Sequence, residues 1–158
     1  MSYCFDDPPE IFSGEPFTEK KSKFQAFCAS CKNIQDVCLF RDTLLENPKI
    51  EGATHNILAY ITPEEEGFDD DGETHAGTQV LQMMQLSGAK NCAVIVTRWY
   101  GGIQLHGDRF RIITSQALNV LRANGFIPQK EDNSKQPQKN AKNNNSNNKP
   151  SKNKKNKK

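Results

Sequence analysis

VIVTRWYGGIQLHGDRF, residues 94–110, runs from a β-branched apolar block into two aromatics, a double glycine and a cluster of charges. Val94, Ile95 and Val96 have the composition of a strand interior, and Gly101-Gly102 supplies the backbone freedom that a sharp exit from a strand requires. Arg98, Trp99 and Tyr100 are thereby delivered at a strand end, where a rigid element can present them to a partner. Extended backward, the strand covers Cys92 to Trp99. Forward, the chain enters a helix with Asp108 as its N-cap candidate, with Ile113, Ala117, Val120 and Leu121 on one face and a stop near Gly125.

Upstream, Lys23 to Ala29 alternates Phe24, Ala26 and Cys28 against Lys23, Gln25 and Phe27, the pattern of a strand with two differently covered faces. Asn33 caps a helix whose stripe is Ile34, Val37, Cys38, Leu44 and Leu45, ending before Pro48. A strand over Thr54 to Thr62 turns His55, Ile57, Ala59 and Ile61 one way and Asn56, Leu58 and Tyr60 the other. His55 reads as a structural histidine at a strand start. Thr78 caps a further helix with Val80, Met83, Met84 and Ser87 inward, closed by Gly88 in the left-handed conformation. The order β-α-β-α-β-α with short connections predicts an α+β fold, a two-layer sandwich with a mixed sheet and helices on one face. Residues 1–20 hold Phe5, Ile11, Phe12 and Phe17, apolar side chains that pack somewhere.

The 158 residues divide into a leader, 1–13, a folded domain, 14–127, and a tail, 128–158. From Gln129 onward the chain is mostly Asn, Lys, Ser, Gln and Pro, with no aromatic or large aliphatic side chain to offset the entropy of ordering, so a disordered tail is expected. Ten Lys against Glu131 and Asp132 give this tail +8, which leaves residues 1–128 with eleven basic and seventeen acidic side chains, or −6. A basic tail of that kind can hold RNA or ribosomes through counterion release, or serve as a solubilising end. No apolar run approaches the ~20 residues of a membrane span, and Met1-Ser2-Tyr3-Cys4 begins no signal peptide. The expectation is a soluble cytoplasmic protein, with no membrane contact. Cys4, Cys28, Cys31, Cys38 and Cys92 are odd in number and irregularly spaced, as reduced thiols are. Cys28-x-x-Cys31 has no second pair, and along an extended segment its members face opposite ways, so buried small hydrophobes are the better reading than zinc or redox chemistry.

A second site candidate is FDDDGETHAGT, residues 68–78. Four carboxylates in five positions repel one another and need open water, a basic partner or a cation between them. Carboxylates around a glycine turn can bind Mg²⁺ or Ca²⁺, but the spacing is not that of an EF-hand loop, and a solvated loop or one meeting a basic partner is the reading adopted.

Five blocks in this order resemble the IMPACT family, which has bacterial relatives: Gly14-Glu15-Pro16-Phe17-Thr18 with Lys21-Ser22-Lys23-Phe24-Gln25-Ala26; Ala53-Thr54-His55-Asn56-Ile57; Asp70-Asp71-Gly72-Glu73 with Ala76-Gly77; Arg98-Trp99-Tyr100-Gly101-Gly102-Ile103; and Asp108-Arg109-Phe110. The resemblance covers residues 14 to about 126. It implies a split β-α-β domain like those of some ribosomal proteins and of elongation factor G. It also implies a non-enzymatic regulator of translational control, one that restrains the amino-acid-starvation kinase acting on initiation factor 2 by competing for its coactivator. Association with actin and ribosomes is implied as well. Eukaryotic members carry an N-terminal RWD domain that contributes to coactivator binding, and bacterial ones a ferredoxin-like domain after the shared one. The thirteen residues before Gly14 and the Asn/Lys tail are expected to hold neither.

The family usually has Leu-Gly where this chain reads Leu105-His106-Gly107. If that glycine sits at positive φ, His106 adopts it at a cost of about 1 kcal/mol, unless Gly107 takes over the turn. His106 would also place a titratable group beside Arg109. The binding set, for protein or RNA, is Asp70, Asp71, Gly72, Glu73, Gly77, Arg98, Trp99, Tyr100, Gly101, Gly102, His106, Asp108 and Arg109. A protein-binding module would use Trp99 and Tyr100 as anchors, and the alternative is that Trp99 fills the core. A nucleic-acid module would join Arg98, Arg109 and Arg111 to the Lys tail and stack bases on Trp99 or Tyr100. A metal-dependent hydrolase at Asp71, Glu73 and His75 is the weakest reading. No catalytic residue, metal ligand or cofactor is assigned, since no nucleophile elbow, phosphate loop, dinucleotide fingerprint or zinc-ligand set is present.

Overall fold

Strand-forming residues gather in three long segments, and the sheet is built around them. The computed structural model describes residues 7–129, so Cys4 and the tail from residue 130 lie outside the described residues. In chain order the elements are β1 (Phe12–Ser13), β2 (Phe17–Glu19), β3 (Ser22–Ser30), α1 (Ile34–Leu45), α2 (Pro48–Glu51), β4 (His55–Ile61), β5 (Glu66–Asp69), α3 (Ala76–Ser87), β6 (Cys92–Trp99) and α4 (Asp108–Ala123). The expected α+β class holds, and β6 has the predicted bounds.

Every strand pair is antiparallel, in the order β1-β3-β6-β4-β5 with β2 also on β3. The sheet is therefore not mixed. β3 and β4 do run the same way, joined through α1, but β6 lies between them and pairs with both. This is the split β-α-β arrangement. The segment β5-α3-β6 repeats it in reverse around β4.

Helices on one face was the expectation, and the packing corrects it. Phe24, Ala26, Cys28, Ile57, Ala59, Val94 and Val96 form one core with Val80 and Met84 of α3 and Ile113, Ala117, Val120 and Leu121 of α4. Phe27, Ala29, Leu58, Ala93 and Ile95 form another with Val37, Phe40 and Leu44 of α1 and Ile50 of α2. Each large side chain fully buried in these cores is worth roughly 1.5–3 kcal/mol. The physical reason for two covered faces lies in the crossovers. They run in opposite directions along the sheet between strands of opposite sense, so crossovers of one hand would place α1 and α3 on the same face. Their presence on opposite faces means the two have opposite hands, and one departs from the usual right-handed preference.

Period-two alternation otherwise places side chains as read. Ile57 and Ala59 go to one core, Leu58 and Tyr60 to the other. Cys28 and Cys31 also part, each buried, and burial pushes both thiols and Cys92 up to about 12. The stripe of α1 differs from the expected one. Phe40 is buried, while Ile34 and Cys38 are exposed. Helix α2, with Pro48 at its first turn and Asn47 as cap, lies where a stop was expected, because proline at the first helical position loses no hydrogen bond.

Candidate functional site

Arg98 stands on β6 two residues after Val96, so the pleat turns it toward the core under α3 and α4. Its strand neighbours in register are Phe24 and His55. A guanidinium there, only 5% exposed, requires a counter-charge, and Glu73, also 5% exposed, provides it. Arg98 Nη1 donates to Glu73 Oε2 in a short contact, and Arg109 Nε, from the first turn of α4, donates to Glu73 Oε1 at 2.7 Å. His55 Nε2 lies 3.8 Å from Glu73 Oε2. Burial alone would raise the Glu73 pKa, but the hydrogen bonds from Arg109 and Arg98, with their charges, hold it below the ordinary carboxylate range.

The acidic stretch is exposed at Asp69, Asp71, Gly72, Thr74 and His75, as a solvated loop would be, while its Glu73 turns inward to two arginines. Its first residues, Phe68 and Asp69, belong to the edge strand β5. Asp70 accepts from Gly77 N at 2.7 Å and His75 N at 3.2 Å, which caps α3 from outside the helix. That is why α3 begins at Ala76 and Thr78 is not the cap: the carboxylate already satisfies the free amides. Gly77 is required because a Cβ there would lie 2.7 Å from the Phe68 ring and 2.8 Å from Asp70 Oδ1. Asp71 accepts from Asn56 N at 2.8 Å, and its carbonyl meets His55 Nδ1 at 2.8 Å. Asp69 accepts from Asp71 N at 2.9 Å. Mutual repulsion is thus relieved by amide donors and guanidinium groups, with Gly72 exposed at the turn.

Above the Arg98–Glu73–Arg109 cluster lies a cleft of about 370 Å³ lined by Thr54, His55, Arg98, Tyr100, Gln104, Leu105, His106 and Arg109. The Arg98 guanidinium is bracketed by the rings of Phe24, 5.5 Å away, and Tyr100, 5.6 Å away. Tyr100 itself is 45% exposed. His106 has φ +49 while Gly107 is right-handed at φ −65, so His106 itself takes the strained turn and Gly107 does not relieve it. Asp108 is exposed as the first residue of α4, one position after the cap.

Trp99 is on the other side of the sheet. Its Nε1 donates to Lys49 O at 2.8 Å, Lys23 Nζ sits 5.0 Å over its ring, and it packs beside the α1–α2 core. The double glycine has two separate reasons. Gly102 has φ +93, whereas a Cβ on Gly101 would lie 1.8 Å from the Lys21 carbonyl oxygen. Arg111 is exposed on α4, away from the cleft lining.

The sequence set therefore separates. Arg98, Tyr100, His106 and Arg109 meet at the cleft with Glu73 behind them, while Asp70 and Gly77 fix the start of α3 and Asp71 and Gly72 lie against the start of β4. Thr54, His55 and Gln104 join the cleft without having been in the set. The signal for His55 was its register opposite Arg98, which the sequence does not display. Among the described residues no group of three or more His, Cys, Asp or Glu could hold a metal ion, and no helix is long and apolar enough to cross a membrane.

Known proteins share this sequence and this fold. The model of the Impact N-terminal domain matches residues 20–121. Protein IMPACT-A of Xenopus tropicalis is 41% identical over 143 residues, covering 87% of this chain and 45% of that protein. Protein IMPACT of Homo sapiens is 40% identical over 143 residues, with the same shares covered. The chain spans less than half the length of these curated relatives. Among solved structures, a crystal structure of a hypothetical protein superposes with a TM-score of 0.64 at 25% identity, covering 73% of this chain and 59% of that one. The two-domain translational regulator Yih1 superposes with a TM-score of 0.50 at 30% identity, covering 75% of this chain and 48% of Yih1. Sequence match and shared fold agree across most of the described residues, and the chain belongs to the Impact N-terminal domain family.

Proposed function

We propose that this chain is a non-enzymatic regulator of translational control that works through protein contacts, restraining the starvation-sensing kinase of initiation factor 2 by competing for its coactivator. The observation that carries this reading is the likeness to Yih1, a translational regulator, in both sequence and fold. The site chemistry is consistent with binding. Glu73 is held as a carboxylate with each oxygen accepting from an arginine, a poor general base, and the Asp70 and Asp71 carboxylates accept from backbone amides. Tyr100 and Ile103, 45% and 42% exposed beside the cleft, offer an apolar rim of the kind that anchors interfaces.

A reconstituted phosphorylation assay tests this reading. With kinase, coactivator and initiation factor 2 present, added chain lowers phosphorylation, and excess coactivator restores it. Phosphorylation unchanged at saturating chain would overturn the proposal.

A second reading, association with RNA or ribosomes, is favoured by the ten Lys against two acidic residues after Pro128. It requires binding that weakens steeply from low to moderate salt and a slope that flattens when residues 129–158 are removed. Binding indifferent to both counts against it.

A further inference from the structure

We infer that the cleft over Glu73 is a binding site for a phosphate monoester, independently of the protein contacts proposed above. Arg98 and Arg109 against Glu73 leave one positive charge in excess at the cleft floor, and His55 and His106 stand on its walls. Arg98 Nε is buried without a hydrogen-bond partner among the described residues. An unmet guanidinium donor in a low-dielectric site carries a penalty that an oxyanion removes.

The cleft also abuts the start of α4, a sixteen-residue helix whose N-terminus has no side-chain cap. The Arg109 and Phe110 amides donate to the His106 and Gly107 carbonyls, so it is the helix dipole that favours negative charge where His106 and Arg109 line the wall. Asp108 lies on that first turn, exposed, and caps nothing. A volume of about 370 Å³ falls within the range of small-molecule sites and exceeds what a bare oxyanion fills. Leu105 and the Tyr100 ring give the remaining space an apolar, partly aromatic lining suited to the organic part of the ligand. Of the two rings bracketing Arg98, Phe24 is fully buried and Tyr100 half exposed, so the solvent side of the guanidinium is the Tyr100 side.

The probes are adenosine monophosphate, a phosphoserine peptide and adenosine, each titrated into the full chain while the Arg98 Nε–H resonance is followed by NMR. A saturable shift with a phosphorylated probe is expected, and none with adenosine. Whichever phosphorylated probe binds about tenfold tighter names the source, a free nucleotide or a modified side chain, and equal affinity still supports the phosphate site. Arg109→Gln, at a partly exposed position, should weaken binding about tenfold, while Arg111→Gln, on the same helix outside the cleft, leaves it unchanged. No saturable shift with either phosphorylated probe, an equal shift with adenosine, or equal losses in the two arginine variants would each overturn the inference.

Discussion

Arg98 and Trp99 are adjacent in the chain and on opposite faces of the sheet, and their surroundings differ as much as their positions. Arg98 is enclosed, paired with Glu73 and overlain by a polar cleft. Trp99 is half-buried, and its indole N–H ties β6 to α2 through Lys49 O while Lys23 covers the ring. The arginine side depends on charge balance around a buried carboxylate, the tryptophan side on apolar area and one hydrogen bond to a carbonyl. A motif that looks like one site in sequence is thus two devices, separated by the alternation of a strand.

The largest break in that comparison should come from Glu73→Ala. It leaves Arg98 buried without a counter-charge, a loss of about 3–5 kcal/mol in urea unfolding. A loss below about 1 kcal/mol would show that the cluster is solvated in solution. The same pair sets an acid limit. Because the folded-state pKa of Glu73 is depressed, its stabilisation is fully present above the unfolded carboxyl value of roughly 4.3 and is lost as pH falls through the folded value. Thermal melts of Glu73→Gln should therefore show less loss of stability below about pH 4.3 than the wild type. Parallel pH profiles would remove Glu73 from the account.

On the opposite face, Trp99→Phe keeps much of the packing and loses the bond to Lys49 O, a cost of about 1 kcal/mol with no change in acid sensitivity. A changed acid profile would mean that the two faces are coupled through the sheet. The smallest effect concerns the cleft wall. His106→Gly removes a non-glycine residue from φ +49 and should raise stability by about 1 kcal/mol or less. Destabilisation would show that the imidazole makes contacts that outweigh the strain.

How much of this the sequence displayed depends on the range of the interaction. Local periodicity placed β6, the two faces of β4 and the left-handed Gly88 at the end of α3. β5 escaped notice because Glu66-Gly67-Phe68-Asp69 has weak strand composition, and its pairing with Leu58–Ile61 of β4 holds it. The face each helix covers depends on crossover hand, which no local pattern encodes. The Arg98–Glu73–Arg109 cluster joins positions 25 and 36 residues from Glu73, so the sequence puts all three in one binding set without showing that they pair with one another. A sharper sign was present: Val94, Val96 and Arg98 share one face by alternation, and an arginine in a buried series demands an acidic partner. Glu73 stands in the acidic stretch, where a basic partner is one of the two readings open, and Arg98 and Arg109 of the same chain are that partner.

The proposed division of β6 into a binding side and a scaffold side is tested most directly by displacement of a labelled kinase segment from purified coactivator, using the wild-type chain, Tyr100→Ala and Trp99→Phe. The account predicts displacement by the wild type, about tenfold weaker displacement by Tyr100→Ala, and wild-type behaviour from folded Trp99→Phe. Loss in Trp99→Phe with Tyr100→Ala unaffected would contradict it and move the contact to the opposite face of the sheet.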